Sequence, residues 1–592
     1  MTAVSVAQGM REFASRRVSA MSLWHWFVFL VVGGFVMTPL VFLVLGSFSL
    51  AELPTDISLS NLGFANYEEV WWDPDTYRVL NNTVIYTTGA TAFGITLAAV
   101  LAWLVERTNI PGKIWIYAGV PMTLAMPGML QAMAWVLLLS PRIGFLNRWA
   151  QALLGLESAP INIYSLEGMI FIEGLRLVPT AFLMLVPLLR AMDPALEEAA
   201  AMSGATPQAT MRRVTLRLMI PGLLAVVIYQ AMTALEVFEV PGILGLPSGI
   251  YVFSTKIYSI LHSVSTLPAY GQANALAMIY VFIAVGATYL YARVISHSER
   301  FTIITGKGYR PRELDIGRWR GWALGLVGLF LTFSIILPFL VLLFVSFLPY
   351  LQQPVWAAFQ SMSFEHYETL WRAPMIRTVM WNTLIMVVLT STLTVIVSFF
   401  VSLVIVRSKF WGRRILDQMA FMPHAIPGIV MGLAFLWVFL QAGKYGIPIH
   451  GGIWAISLAF TVGFMAYGTR SMNAAILQIH KDLEEAAQVS GARQWRTMWR
   501  IFYPLMLPTF VGVWIWAMLH AVRIAGKPLI LYEGAENQVL AILIWNMWDE
   551  GNIEGVGAIG ALMIAGLLII TLGLRLMGFG RGTAIQKDAG NN

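Results

Sequence analysis

The chain has 592 residues, of which 58% are hydrophobic and only 12% are charged, and its mean hydropathy is +0.71. That is more apolar surface than a soluble core of ordinary composition buries, so the composition predicts an all-α, polytopic membrane protein. Cysteine is absent, which excludes disulfides, thiolate metal sites and cysteine nucleophiles. The formal net charge is +7, but the basic residues stand in short loops between apolar runs, which favours membrane orientation signals over nucleic-acid binding.

The first apolar run covers residues 24–48 and follows a segment that contains Arg11, Arg16 and Arg17. About 25 apolar residues can cross a hydrocarbon core of ~30 Å. A cleaved signal peptide is the alternative, but the run is longer than an ordinary signal sequence and ends in only a weak small-residue site at Ser47-Phe48-Ser49. Residues 49–81 are acidic, as expected of an external loop, so the N-terminus is predicted to be cytoplasmic.

Eleven further apolar runs complete two sets of six spans. They lie near residues 84–105, 115–139, 166–189, 216–238 and 272–293 in the first half, and near 322–348, 382–406, 417–441, 453–475, 505–525 and 556–578 in the second. Basic residues follow every second span, so hydropathy and the positive-inside rule agree on cytoplasmic N- and C-termini. We predict a cytoplasmic N-terminal segment (1–22), a first six-span domain (23–296), a basic cytoplasmic linker (297–320), a second six-span domain (321–579) and a cytoplasmic tail (580–592).

The two halves repeat each other in sequence. With a shift of 300 residues, Asn82-Thr83 matches Asn382-Thr383 and Pro127-Gly128 matches Pro427-Gly428. Later in the chain the shift is 287, so the second half lacks thirteen residues, which we assign to the external loop near 140–165. Six spans return the chain to the same side, so the repeat is parallel. Pro127 and Pro427 are expected to kink the third spans, either for packing or to line a pathway.

A polar, basic segment recurs between the fourth and fifth spans of each half. It reads LEEAAAMSGATPQATMRRVTLRLMIP from Leu196 to Pro221 and LEEAAQVSGARQWRTMWRIFYPLMLP from Leu483 to Pro508. Eight of the first ten positions are identical. The pattern predicts a short helix, a turn at Gly204 or Gly491, and a second basic helix that reaches the proline at the start of the fifth span. An alanine-lined helix on a membrane surface favours docking of another protein.

This segment resembles the coupling motif of the inner-membrane permeases of binding-protein-dependent ABC importers with the type I fold. The resemblance rests on Glu198-Ala199-Ala200 with Gly204 and on Glu485-Ala486-Ala487 with Gly491, and it extends over the chain as two fused permease domains in a bacterial inner membrane. It implies that each copy docks on one subunit of an ATPase dimer. The residues implied in this coupling are Glu197, Glu198, Ala199, Ala200, Gly204, Glu484, Glu485, Ala486, Ala487 and Gly491.

The resemblance also implies partners and excludes an enzyme. No G-x-x-x-x-G-K-[ST] phosphate-binding loop is present, because Gly306-Lys307 and Gly526-Lys527 lack the earlier glycine. ATP and magnesium are therefore expected on a separate ATPase, with no cofactor, metal or catalytic residue on this chain. A substrate-binding protein is expected on the outer face, where the loops containing Tyr67 and Tyr367 can contribute to docking. A secondary transporter is the alternative class, but it gives no reason for two copies of the motif.

Charged residues within the spans are the candidates for a pathway or gate, because each is costly in lipid. Glu236 aligns with Arg523 in the repeat, and they form either a gate, a cargo contact or a structural ion pair. The candidate pathway or gate residues are Glu236, Glu239, Arg523, Lys527, Pro127 and Pro427, with Glu173, Arg176, His424, Arg470 and His520 as further candidates.

The cargo is a separate question. Fused double permeases of this length resemble the ferric-iron importers, as does the stretch EVFEVPGILGLPSGIYVFSTKIY from Glu236 to Tyr258. Relatives for thiamine, aminoethylphosphonate and polyamines share the motif, so these cargoes stay open. Glu236 and Glu239 suit a cation, whereas Arg523 and Lys527 suit an anion.

Overall fold

The structure is a computed structural model that describes residues 3–190, 199–200, 202–262, 267–298 and 313–576. Within these residues it is helical and contains isolated β-bridges but no named strand. The helices of the first half are α1 (Ala3–Phe48), α2 (Ala65–Trp72), α3 (Pro74–Arg107), α4 (Lys113–Met122), α5 (Gly128–Leu139), α6 (Phe145–Leu154), α7 (Leu166–Arg190), α8 (Pro207–Thr210), α9 (Leu216–Glu236), α10 (Glu239–Ser248), α11 (Phe253–Leu261) and α12 (Tyr270–Ser298).

The second half repeats this order of elements. Its helices are α13 (Arg320–Leu331), α14 (Leu337–Ser346), α15 (Trp356–Gln360), α16 (Glu365–Arg372), α17 (Pro374–Arg407), α18 (Arg413–Phe421), α19 (Gly428–Lys444), α20 (Ile453–Gln478), α21 (Lys481–Val489), α22 (Gln494–Thr497), α23 (Tyr503–Arg523), α24 (Gly526–Leu531), α25 (Leu540–Asp549) and α26 (Ile553–Leu576). A π-helical turn, Thr332–Ile336, joins α13 to α14, and the π turns Met211–Thr215 and Met498–Phe502 lead into α9 and α23.

Helix bounds confirm the two repeat shifts. The helices α3 and α17 begin at Pro74 and Pro374 and end at Arg107 and Arg407, with a shift of 300. The helices α9 and α23 end at Glu236 and Arg523, with a shift of 287. In residues 445–452, which are all described, no helix corresponds to α6, so the shortening lies in the predicted loop, between the third and fourth spans.

Eight helical segments in the described part of the chain are long and apolar enough to cross a membrane, and three bent helix pairs raise the number to eleven. Helix α20 is not among them and carries Arg470, but it packs along α17 as its repeat equivalent α7 packs along α3. With α20 added as the equivalent of α7, the described residues contain twelve candidate spans, six in each half, as predicted.

Some predicted limits were wrong. The helices α3 and α17 have 34 residues each and begin about ten residues before the predicted spans, because polar residues near their starts continue the helix outside the apolar run. Pro508 lies inside α23 rather than at its start. The basic stretch before Pro508 is itself helical, so the helix has already begun when the chain reaches this proline.

The first span of each half packs on the opposite half. Helix α1 contacts α12 in its own half but also α18 and α19, and α14 contacts α26 but also α5. One polar contact fixes this crossing, since Gln131 Nε2 donates to the carbonyl oxygen of Ser334 at 3.1 Å within the π turn. Trp135 packs edge-on against Phe333 with ring centroids 5.6 Å apart. The two halves are therefore interlocked around their third spans.

The repeated Asn-Thr pair has a structural role in both halves. Thr83 Oγ1 accepts a hydrogen bond from the backbone N–H of Phe253 at 3.0 Å, and Thr383 Oγ1 accepts one from Leu540 at 2.8 Å. These are the first residues of α11 and α25, whose N–H groups have no partner within the helix. The pair thus holds the short helices that follow the fifth span against α3 and α17.

The start of the second half is tied to the loop between α3 and α4. Asn109 Nδ2 donates to Asp315 Oδ1 at 2.8 Å, and Lys113 Nζ lies 2.7 Å from Glu313 Oε1. Hydrogen bonds from Asn109 and from the Gly317 N–H, together with Arg320, lower the pKa of the Asp315 carboxyl below its usual value. Most of the predicted linker, residues 299–312, lies outside the described residues.

Candidate functional site

The third span of each half is broken at its Pro-Gly pair. The axes of α4 and α5 differ by 92°, and those of α18 and α19 by 111°. Pro127 and Pro427 occupy the N-cap positions of α5 and α19, and neither helix start has a side-chain cap or an acidic residue in its first turn. The predicted kink is therefore a complete break, which exposes two helix N-termini inside the protein.

These breaks border a cavity of about 240 Å³ between the halves. Its walls come from the breaks, the ends of α9 and α23, and the segments that follow them. The charged and histidine side chains that line it are Glu173, Arg176, Glu236, Glu239, His424, His520, Arg523 and Lys527. The structure thus brings the four charged pathway candidates of α9, α10, α23 and α24 together.

On the first-half wall, Glu173, Arg176 and Glu239 have partners, whereas Glu236 has none in the described residues. Arg176 Nη1 lies 2.9 Å from Glu173 Oε2, and only 1% of the Glu173 side chain is exposed. The guanidinium lies directly on Gly128, where an added Cβ would come within 2.4 Å of Arg176 Cζ. Glu239 is also buried and accepts a hydrogen bond from the Ala525 N–H of the second half at 3.1 Å. Each of these buried carboxylates therefore has a donor that compensates for the loss of contact with water, as a buried charge requires.

On the second-half wall a cation lies among aromatic rings. Lys527 is only 6% exposed, and its Nζ lies 5.0 Å from the ring centroid of Phe460 and 5.4 Å from that of Phe464. The absence of a side chain at Gly463 provides the space, since a Cβ there would be 2.4 Å from Nζ. Within the described residues, no hydrogen bond or ion pair reaches this ammonium group. Glu236 interacts with it electrostatically across the cavity.

Glu236 and Arg523 do not form the structural ion pair that was one alternative. Both line the cavity, but the ion pairs of the described chain do not join them. Glu236 is exposed to the cavity, and Arg523 Nε is buried without a hydrogen-bond partner. The repeat-equivalent acid and base therefore face a shared space and are free to contact a passing solute.

The further candidates separate into two groups. His424 and His520 line the cavity, with His424 beside the Tyr229 ring and His520 Nδ1 2.8 Å from the Trp516 carbonyl oxygen. Arg470 instead pairs with Asp417 at 3.2 Å and lies over the Phe421 ring, where it joins α18 to α20. Arg470 is therefore a structural residue.

The motif turns have the predicted geometry. Gly204 has φ 82° and Gly491 has φ 74°, in the left-handed region that a residue with a Cβ rarely adopts. Helix α21 carries the second copy of the motif, and Ser490 Oγ donates to the Ala486 carbonyl oxygen at its end. Glu197 and Glu198 lie outside the described residues, whereas Ala199 and Ala200 are helical.

The two glutamates of the second motif have different surroundings. Glu484 Oε1 lies 2.9 Å from Arg407 Nε, with 24% and 14% of the side chains exposed. Arg407 also donates to the carbonyl oxygens of Ile476 and Ile479 and lies over the Phe502 ring. Glu485 is exposed. The motif helix is thus fastened to three spans through one glutamate while the other points to solvent.

Sequence reasoning missed the Arg407–Glu484 pair and the ring contacts of Lys527. A signal for the pair existed, because Arg107 and Arg407 match at a shift of 300 while Glu197 and Glu484 match at 287. In the first half, Arg107 is buried and donates to the Leu189 carbonyl oxygen at 3.0 Å.

Residues 394–579 match the family model described as the binding-protein-dependent transport system inner membrane component. The matched region holds the second motif and the second-half wall of the cavity, and the first half repeats both. Residues 394–579 therefore resemble the membrane component of a binding-protein-dependent ABC importer, and the chain is called the permease below. The internal repeat extends this similarity to the first half, in agreement with the interlocked arrangement of the two halves.

Curated relatives extend the comparison to both halves of the permease. The ferric transport system permease protein FbpB of Actinobacillus pleuropneumoniae is 22% identical over 506 residues, which cover 84% of this chain and 70% of that protein. A putative ferric transport system permease of Haemophilus influenzae is also 22% identical, over 77% of this chain and 70% of its own. A probable sulfate transport system permease of Chlorokybus atmophyticus is 27% identical over 29% of this chain and 64% of its own.

Solved structures include a bacterial ABC transporter that imports the acidic polysaccharide alginate. Its matching chain is 17% identical to the permease, with a TM-score of 0.34 over 45% of this chain and 96% of that one.

Proposed function

We propose that the permease forms the membrane pathway of an ATP-driven importer for ferric iron, with ATP hydrolysis supplied by a separate ATPase dimer. The observation that carries this proposal is the share of the chain that the ferric relatives match. The ferric relatives match 84% and 77% of the chain and so include both fused halves, whereas the sulfate relatives match 28% to 45% of it. At the cavity, Glu236 has a carboxylate without a hydrogen-bond partner in the described residues, and carboxylate oxygen atoms are of the kind that hard metal ions prefer.

The ATPase docks at the paired motifs in this proposal. Glu485 is exposed and free to meet a basic group of the partner, while Glu484 is held by Arg407 and transmits movement to the spans. Glu198 is assigned the same role as Glu485 by the repeat. ATP and magnesium belong to the ATPase, and this chain is a transport subunit without a catalytic site.

A substrate-binding protein delivers the cargo to the outer face in this proposal. The hydroxyl groups of Tyr67 and Tyr367 are engaged internally, since they lie 2.8 Å and 2.7 Å from Ser47 Oγ and Ser346 Oγ. They fasten α2 and α16 to the ends of the first spans. We therefore assign docking to the exposed parts of these loops, which include Trp72 and Trp371.

An oxyanion is the second candidate cargo. Lys527 and Arg523 supply two cations without an ion-pair partner in the described chain, and an aminoethylphosphonate permease of Salmonella paratyphi A, like the sulfate permease, is among the relatives. Thiamine and polyamines share the general machinery, but no contact in the structure favours them.

Uptake into liposomes tests the cargo. The permease is reconstituted with its ATPase and binding protein and is supplied with radiolabelled Fe(III), while sulfate, aminoethylphosphonate and thiamine are added as competitors. We expect ATP-dependent uptake of iron that the other solutes do not reduce. Labelled sulfate or phosphonate uptake without iron uptake would assign the permease to an oxyanion.

A further inference from the structure

The broken third spans create the same electrostatic situation in both halves. Gly128 and Gly428, the first residues of α5 and α19, line the cavity, and neither helix start has a side-chain cap or an acidic residue in its first turn. Each helix start carries a partial positive charge. A cation stands at each one, with Arg176 against Gly128 and the Lys527 side chain 3.9 Å from the place of a Gly428 Cβ. The positive helix end and the neighbouring cation repel each other, so each site is unfavourable unless a negative charge lies close by.

Only the first half supplies that negative charge itself. Arg176 is paired with Glu173 at 2.9 Å. The repeat places Phe460 where the first half has Glu173, and Gly463 where it has Arg176. Lys527 fills the space left at Gly463, so the second half has a cation at its helix start but an aromatic ring in place of the carboxylate. The ammonium group is nine-tenths buried and faces the cavity.

We propose that Lys527 and the N-terminus of α19 form a subsite for a small oxyanion in the cavity, which supplies the negative charge that Glu173 supplies in the first half. This proposal rests on the cavity being the transport pathway. Helix N-termini with an adjacent lysine are suited to tetrahedral oxyanions because N–H groups and charge act on the same ligand. Glu236 lies on the opposite wall. A bound oxyanion must therefore leave the Glu236 carboxylate in contact with water or with a cation.

The same oxyanion can arrive in two ways. It can be the cargo itself, as sulfate or a phosphonate, or it can accompany Fe(III), whose positive charge then faces Glu236 while the anion faces Lys527. Both sources present the same chemistry to the subsite. Glu236 and Lys527, which both line the cavity and interact electrostatically, are placed for a solute that carries both signs of charge.

Equilibrium binding tests the subsite on the purified full-length permease in nanodiscs. Radiolabelled inorganic phosphate and sulfate are titrated at constant ionic strength, with chloride as the competing salt. We expect saturable binding to the wild type, at least ten-fold weaker binding to Lys527→Met, and binding retained in Lys527→Arg. Phe460→Glu restores the carboxylate of the first half and is expected to abolish binding. Lys256→Met is the matched control, since Lys256 also lies over a tyrosine ring but outside the cavity.

Uptake by the reconstituted transporter distinguishes the sources. Phosphate that enters only with Fe(III) identifies an accompanying anion, and sulfate or phosphate that enters without iron identifies the anion as cargo. Either result supports the subsite. The absence of saturable oxyanion binding to the wild type overturns it, as does binding unchanged in both Lys527→Met and Phe460→Glu. Iron uptake that persists while oxyanion binding is absent overturns the subsite alone, whereas oxyanion uptake without iron uptake overturns only the ferric assignment.

Discussion

Arg407 Nε lies 2.9 Å from Glu484 Oε1, and through this contact the motif helix α21 is joined to α17. The same guanidinium reaches the end of α20 and the ring of Phe502, which precedes α23. One arginine therefore connects the motif to three spans. In the proposed mechanism, Arg407 would transmit a displacement of α21 by a docked ATPase to these spans.

The adjacent motif glutamates provide a matched pair of variants. Glu484→Ala leaves Arg407 with a largely buried charge and should lower the free energy of unfolding by about 1–3 kcal/mol. Glu485→Ala removes an exposed side chain and should leave stability unchanged while reducing ATPase-coupled transport. Thermal unfolding of the purified chain and ATPase activity of the complex measure the two effects. Equal destabilisation by both substitutions would contradict this division of roles.

The motif turn should tolerate no side chain at Gly491. Its φ of 74° costs a residue with a Cβ about 1 kcal/mol or more, so Gly491→Ala should shift the turn and weaken ATPase binding. Gly512→Ala is the control, because Gly512 lies in α23 with open space around it and without a positive φ. Co-purification of the ATPase with each variant is the measurement. Full retention with Gly491→Ala would show that the turn geometry is not required for docking.

The place of the Lys527 ammonium depends on Gly463. An alanine Cβ there would lie 2.4 Å from Nζ, so Gly463→Ala should move the flexible end of Lys527 and change transport while the fold persists. Gly443→Ala, at an exposed position in α19, should transport normally. Initial uptake rates are compared after expression and assembly are matched. Wild-type rates in Gly463→Ala would remove Lys527 from the pathway.

Two acids of the cavity should respond differently to neutralisation. Glu173→Gln leaves the Arg176 guanidinium without its carboxylate and should destabilise the permease by about 3 kcal/mol, because Glu173 is 1% exposed. Glu236→Gln removes a charge that has no hydrogen-bond partner in the described residues, so stability should hold while transport changes. Unfolding and uptake are measured on the same preparations. A stability loss in Glu236→Gln as large as that in Glu173→Gln would make Glu236 a structural residue.

The sequence was sufficient for features that recur at a fixed spacing. The two shifts predicted equivalent helices in the two halves, although not their first residues at Pro74 and Pro374, and the Pro-Gly pairs predicted where the third spans bend. Contacts between distant positions were not predictable in this way. Lys527 contacts Phe460 only because α24 packs against α20. The repeat has Phe460 at the position equivalent to Glu173, but the sequence does not show that Lys527 lies beside it.

The short helices were also missed for a physical reason. The stretches that form α10, α11, α24 and α25 have ten residues or fewer, lie between the predicted fifth and sixth spans, and are too short to show a helical period. Thr83 and Thr383 determine their position by accepting hydrogen bonds from the first N–H groups of α11 and α25. Such capping across the fold depends on tertiary structure.

The most direct test of the account is ATP-driven Fe(III) uptake by proteoliposomes that contain the permease, its ATPase and its binding protein. The wild type and the Glu198→Ala plus Glu485→Ala variant are compared, with substrate-stimulated ATP hydrolysis recorded in the same vesicles. We predict uptake that requires ATP and the binding protein, and loss of both uptake and stimulated hydrolysis in the double variant. Stimulated hydrolysis that survives both substitutions, or uptake driven by an ion gradient without ATP, would contradict the account.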